Sequence, residues 1–350
     1  MDSAYYAEGM SRARTVYVGA GDWSGETGKI QVFGLDPERA RLELRQELPA
    51  GGVAAFMARS PDARTLYVAD ETKGSLAAYA IAPGTGQLSL KNQVQTAGHP
   101  VYVALDPRGS TLTTCFFEEA RTEVFAIEAD GNIGKSACLV DSGRESHCTV
   151  FDPSGRFLFV PTRGDNWVAQ YRFDAATRKL SALHPPHVSE LAGAGPRHLA
   201  FHPSGRYAYL INELTLTLSV YAFDAEQGTL SAVQRQVEAA PAGVTGGAAA
   251  DIHVHPGGRF LYVSNRQGDQ STLALFALDP ESGRARLIGH ESTRGSTPRN
   301  FGLDADGRIL IVGNQASNDV AVFKIKDDGG ALDYVASQPV APGPFFIGIY

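Results

Sequence analysis

At 350 residues the chain exceeds an ordinary single domain, so it holds either two domains or one domain built from repeats. A hydrophobic share of 43 % supplies a core, and a net charge of −7 argues against a nucleic-acid or anionic membrane surface. No window reaches the ~18 apolar residues of a spanning helix, and the amino terminus lacks a basic start followed by an apolar run. Three cysteines without Cys-x-x-Cys spacing read as reduced thiols, so a cytoplasmic location is expected.

Taken in order, the chain repeats itself. A turn core recurs as Ser60-Pro-Asp-Ala-Arg64, Asp106-Pro-Arg-Gly109, Asp152-Pro-Ser-Gly-Arg156, His202-Pro-Ser-Gly-Arg206, His255-Pro-Gly-Gly-Arg259 and Asp304-Ala-Asp-Gly-Arg308, at steps of 46 to 53 residues. That is the period of four-stranded propeller blades. A β-rich run follows each turn, such as Thr65-Leu-Tyr-Val68 and Phe157-Leu-Phe-Val160, and then an alternating strand such as Leu76-Ala-Ala-Tyr79. A weaker fourth strand comes last, as in Gly228-Thr-Leu-Ser-Ala232. Nothing in the repeat reads as a helix.

The termini complete the count. Thr15-Val-Tyr-Val18 is a second-strand pattern without a first strand, and Pro342-Gly-Pro-Phe-Phe-Ile-Gly-Ile-Tyr350 is a first-strand pattern without a second. Joined, they make one blade, and ring closure protects the sheet edges. The expected fold is all-β: a seven-bladed β-propeller over residues 14–350, four antiparallel strands per blade, preceded by a tail of residues 1–13.

Propeller topology brings the starts of first strands and the ends of second strands to one face. At first-strand starts stand His99, His147, Arg197, Asp251 and Arg299. At second-strand ends stand Asp22, Asp70, Glu118, Arg163, Glu213, Arg266 and Gln315. Arginine forks match carboxylates and phosphates, and a carboxylate or imidazole can deprotonate water. The plain alternative for each arginine is an ion pair that ties neighbouring blades. Asp251-Ile-His253-Val-His255 could hold a metal, but His255 fills the turn position of Asp106 and Asp152, which favours the turn role. Cys148 beside His147 is a minor candidate nucleophile. There is no Gly-x-Ser-x-Gly elbow, phosphate loop or His-Glu-x-x-His.

The segments Gly193-Ala-Gly-Pro-Arg-His-Leu-Ala-Phe-His-Pro203, Tyr207-Ala-Tyr-Leu-Ile-Asn-Glu-Leu214, Ala249-Ala-Asp-Ile-His253 and Thr297-Pro-Arg-Asn-Phe301 resemble the propeller-type lactonase family, which includes fungal carboxy-muconate cyclases. The resemblance runs from about Arg14 to Tyr350. It implies His147, Glu213, Arg197 and Arg266 as catalytic residues, with Arg299 and Gln315 at family positions on the same face. His99 and Arg163 complete the expected substrate-binding group. It implies no metal and no cofactor, and a small-molecule lactone as partner. In place of the Asp-Arg pair common in the family, this sequence has Asp165-Asn-Trp167, with Arg163 earlier, which puts phosphate recognition in question. The expected activity is hydrolysis of a sugar lactone, 6-phosphogluconolactone or a related aldonolactone. Glu213 or His147 would be the base, and Arg197 and Arg266 the oxyanion donors. Lactone formation from a muconate-like dicarboxylate and non-catalytic binding at the mouth are the alternatives.

Overall fold

The computed structural model describes residues 14–350. The expected tail of residues 1–13 lies outside the described residues. Seven four-stranded antiparallel sheets follow one another along the chain. In blade 1 the strand Pro344–Ile349 from the carboxyl end pairs with Arg14–Ala20 from the amino end, so the ring closes through both ends of the chain. Blades 2 to 7 begin at Ala54, Pro100, Val150, Pro196, Ala248 and Pro298. Among the described residues the one helical element is a single 3-10 turn, Gly268–Gln270. No helix there is long and apolar enough to cross a membrane.

Strand period explains the packing. Second strands are buried on both faces, as in Thr65–Asp70 and Phe157–Thr162. Outer strands such as Leu332–Pro339 are largely exposed. Apolar side chains therefore fill the spaces between adjacent blades. Where blades 7 and 1 meet, Val16, Val18, Phe33 and Leu35 pack against Ile309, Ile311, Val320 and Val322.

Two polar devices repeat. Asp106, Asp152 and Asp304 each accept two backbone N–H groups from the residues four and five ahead, which fixes their turns. A second-strand tyrosine then donates its hydroxyl to a glycine carbonyl of the next blade: Tyr17 to Gly86, Tyr67 to Gly131, Tyr209 to Gly283 and Tyr262 to Gly330. These latches satisfy buried hydroxyls while registering blade on blade.

Candidate active site

The site is built by an irregularity repeated in every blade. First and second strands pair regularly until the last step, where one extra residue enters the first strand. The register slips between Pro196 and His198, Pro298 and Asn300, Pro100 and Tyr102, and Ala54 and Phe56. Bulges re-aim side chains, and these aim theirs at the central channel. In blade order, starting from blade 1, the residues at this place are Phe345, Ala55, Val101, His147, Arg197, Ala250 and Arg299; in blade 4 the break is wider, and His147 opens the unpaired stretch between the Ser146–Thr162 bridge and Val150. Six of the seven, all but Ala250, line one small cavity at the channel mouth. Half of that ring is apolar and the other half carries His147, Arg197 and Arg299.

A second ring lies above it, made by residues at the exits of the second strands: Gly21, Glu71, Phe117, Arg163, Glu213 and Gln315, each one past its strand, and Arg266, which ends its own. In blade 5 the local sequence forces the geometry. Gly195 has a φ of +71° and a Cβ there would lie 2.6 Å from Leu214 Cγ, so only glycine fits where the chain turns in. Its carbonyl accepts from the Glu213 N–H, locking Arg197 and Glu213 side by side.

Glu213 is the centre of the cluster. Its Oε1 lies 2.9 Å from Arg163 Nη1 and 3.2 Å from Arg266 Nη2, and its Oε2 lies 3.0 Å from Arg197 Nε and 3.9 Å from His147 Nε2. Glu213, Arg197 and His147 are all buried. Burial pushes the Glu213 carboxyl up, but Arg197, Arg266 and Arg163 outweigh it and hold the group below the usual glutamate value. His147 goes the other way: burial, with Arg197, His198 and Arg299 nearby, holds it well below the usual imidazole value. It is neutral at physiological pH. Arg163 is further tied to Glu145 at 2.7 Å and lies over Phe117.

Several buried polar atoms here have no well-aligned hydrogen-bond partner in the protein: His147 Nδ1, Arg197 Nε, Arg266 Nε and Glu71 Oε2. Such atoms are rare in native interiors and are open to a partner from outside the protein, water or ligand. Arg299 has no ion-pair partner among the described residues; its guanidinium lies 4.6 Å from the Phe345 ring centroid. Burial, and repulsion from Arg197 and Arg266, bring its pKa down to about 9. Four guanidinium groups (Arg163, Arg197, Arg266, Arg299) thus face the carboxylates Glu213 and Glu145. The balance is positive.

Beneath the mouth a second network holds the channel floor. His198 donates from Nδ1 to Asp251 Oδ1 at 2.8 Å, while Asp251 Oδ2 takes His253 Nε2 at 2.9 Å and Asn300 Nδ2 at 2.5 Å. Arg197 Nη1 lies 3.3 Å from His198 Nε2, which joins the two networks. Burial alone would raise the Asp251 carboxyl, but His253 and His198 hold it well below the usual carboxylate range. Burial and Arg197 bring His198 down to about 4, so it stays neutral. Replacing Asp251 by Asn removes a buried charged acceptor, and a stability loss of about 2–3 kcal/mol is expected at neutral pH. Urea unfolding checks this; a loss under about 0.5 kcal/mol would contradict the role given to Asp251.

His147, Arg197, Glu213, Arg266 and Arg163 converge, and Arg299 lines the same mouth. His99 sits at the rim: its side chain is exposed and Nδ1 lies 2.8 Å from Glu119 Oε1. Gln315 follows the second strand of blade 7, Ile309–Asn314, in the upper ring, half-buried. Asp70 is a loop tie, accepting from the Gly52 and Lys73 N–H groups. The residue of blade 2 that joins the upper ring is its neighbour Glu71, which the sequence reading passed over. Asp251 lies in the floor, with no metal-type cluster of His, Cys, Asp and Glu among the described residues. His255 does fill the turn, accepting the Gly257 N–H at Nδ1 and bonding the Gly307 carbonyl through Nε2. Burial pushes the Cys148 thiol up to about 12, which removes it as a nucleophile.

A propeller whose mouth gathers arginines around a buried glutamate and a neutral histidine is built for a small, oxygen-rich ligand. Residues 15–349 match the model of the family described as lactonase, 7-bladed beta-propeller, and the chain belongs to that family. A 6-phosphogluconolactonase of Pectobacterium carotovorum is 33 % identical over 327 residues, covering 93 % of this chain and 96 % of the relative. One from Formosa agariphila is 28 % identical over 338 residues, 90 % of this chain and 93 % of the relative. The structure of the periplasmic gluconolactonase of Pseudomonas aeruginosa superposes with a TM-score of 0.88 at 31 % identity, covering 96 % of this chain and 98 % of that one.

Proposed function

We propose that the protein adds water across the ester bond of a sugar lactone, giving the open hydroxy acid, and that His147 rather than Glu213 is the base. The observation that carries this is the pairing of a neutral His147, its Nδ1 without a protein partner, with a Glu213 already tied to three guanidinium groups. A carboxylate so well paired is a poor proton acceptor. The imidazole, facing Glu213 with Nε2, is favoured in the tautomer that leaves the Nδ1 lone pair free. It takes a proton from water, and Glu213 stabilises the imidazolium that forms. Arg266 keeps an unpaired Nε donor, and with Arg197, paired through Nε to Glu213, it brings positive charge to the place where the carbonyl oxygen gains negative charge.

Arg299, with no close ion-pair partner among the described residues, is the anchor for an anionic substituent, either a phosphate or a carboxylate. Asn166 stands where the family pair would supply a further arginine; beside it Asp165 holds Arg144 at 2.7 Å, and Trp167 stacks on His187. Head-group recognition therefore falls on Arg299. The three cysteines are unpaired, which fits a reducing, cytoplasmic setting.

The test is a panel of phosphorylated and unphosphorylated aldonolactones, together with a muconate-like dicarboxylate, followed by acid release or uptake. Turnover of six-membered sugar lactones is expected. Arg299→Ala should raise KM about tenfold for a phosphorylated lactone while sparing the neutral one. Turnover of the dicarboxylate alone, or of nothing, would overturn the reading.

A further inference from the structure

Glu71 and Glu213 hold the same place in different blades. Each is the residue after the second strand, and the strand's last residue pairs across the bulge, Asp70 with Ala54 and Asn212 with Pro196. Blades 2 and 5 stand three steps apart in a ring of seven, so the two glutamates face each other nearly diametrically across the mouth. Their surroundings differ sharply. Glu213 is saturated by guanidinium groups; Glu71 has a buried Oε2 with no partner in the protein. Its backbone N–H is spent on the Val53 carbonyl, which fixes the residue at the rim of the apolar half of the ring.

From this contrast we infer that Glu71 is a second acid–base residue of the site, donating the proton that the departing ring oxygen needs while His147, two blades on, takes the proton of water. The inference rests on the lactonase reading above. The charged and titratable groups facing Glu71 are Arg299, Arg197, His99 and Glu118. Burial lifts its carboxyl to about 7, against the pull of Arg299, Arg197 and His99, with Glu118 adding to the rise. Two carboxyl groups of equal backbone position are thus driven apart, one ionised and one poised to carry a proton, the pattern that separates acid from base in one site.

The balance is simple. The oxygen of water bonds to the lactone carbonyl carbon as its proton passes to His147 Nδ1. The tetrahedral intermediate then breaks its bond to the ring oxygen, which takes the proton of the Glu71 carboxyl and leaves as a neutral hydroxyl. Solvent returns the proton held by His147 to the Glu71 carboxylate, so the sum is one water added across one ester bond. A sugar alkoxide is a poor leaving group and requires this proton. A phenolate does not.

The experiment compares wild type, Glu71→Gln and Glu71→Asp on an aldonolactone and on dihydrocoumarin, a six-membered lactone with a phenolic leaving oxygen. Glu71→Gln is expected to lower kcat about 10²-fold on the aldonolactone and to stay within about threefold of wild type on dihydrocoumarin. The fall in wild-type rate above about pH 7 should vanish in Glu71→Gln and persist, at a lower rate, in Glu71→Asp. An infrared carboxyl band titrating near neutrality in wild type should be missing from the Gln variant whatever the substrate. An equal loss on both lactones, an undiminished aldonolactone rate, or an alkaline limb that survives in Glu71→Gln would overturn the assignment and leave the lactonase reading standing. A wild-type protein inert toward both lactones would overturn the two together.

Discussion

Glutamine in place of Glu213 should reduce lactone hydrolysis by about 10²–10³ and cost about 3–5 kcal/mol of stability at neutral pH. The side chain keeps its shape and loses its charge, so the effect isolates electrostatics. Arg163, Arg197 and Arg266 then repel one another, with Glu145 on Arg163 the one carboxylate still paired within the group. The donors aimed at the reacting carbonyl spread apart, and His147 loses the group that favours its working tautomer. The pH dependence has a definite sign. Because the folded Glu213 carboxyl sits below its ordinary value of 4.5, its contribution is present above that value and is lost as pH falls through the folded one. The stability gap between wild type and Glu213→Gln should therefore be full above about pH 5.5 and narrow progressively as pH falls below 4.5. Urea unfolding across that range measures it. A gap that stays constant down to pH 3 would show that shape, not charge, was lost.

The ring was legible in the sequence because its devices are local. An Asp or His before Pro and Gly captures its own turn, and the recurrence of that turn fixes the blade period. The orphan strand patterns at the two ends then require closure. Residues at second-strand exits with a long polar side chain, Arg163, Glu213 and Arg266, could also be placed, since no competing neighbour stood beside them. The bulge was not legible. It inserts one residue at the start of each first strand, and a one-residue slip turns every side chain to the other face. That is why Asp251 belongs to the channel floor and His99 to the exposed rim. The same one-residue ambiguity hid Glu71 behind Asp70: two adjacent acids, of which one ties the loop and the other faces the mouth. Only the pairing of Asp70 with Ala54 decides between them.

Replacing His147 by Gln should lower kcat by about 10²–10⁴ and leave the native fold in place, since the side chain's Nδ1 makes no hydrogen bond in the protein and its Nε2 only a long approach to Glu213. The wild-type profile should carry the mark of this residue on its acid side. A base must be unprotonated to act, and burial with the nearby Arg197 and Arg299 disfavours the imidazolium, so kcat/KM should hold flat through the ordinary imidazole range and fall only well below 6.5. An acid limb centred at about 6.5 would instead assign the base to an exposed imidazole. Stability should move the opposite way to rate. With its folded pKa depressed, His147 makes the protein less stable as pH drops below about 6.5, because the unfolded chain accepts a proton that the folded one refuses. Glutamine has no proton to gain, so His147→Gln should lose less stability than wild type between about pH 6.5 and 5 while remaining nearly inactive. A variant that was both inactive and equally acid-sensitive would mean that the folded imidazole takes up its proton as readily as the unfolded one, against the depression on which its role as base rests.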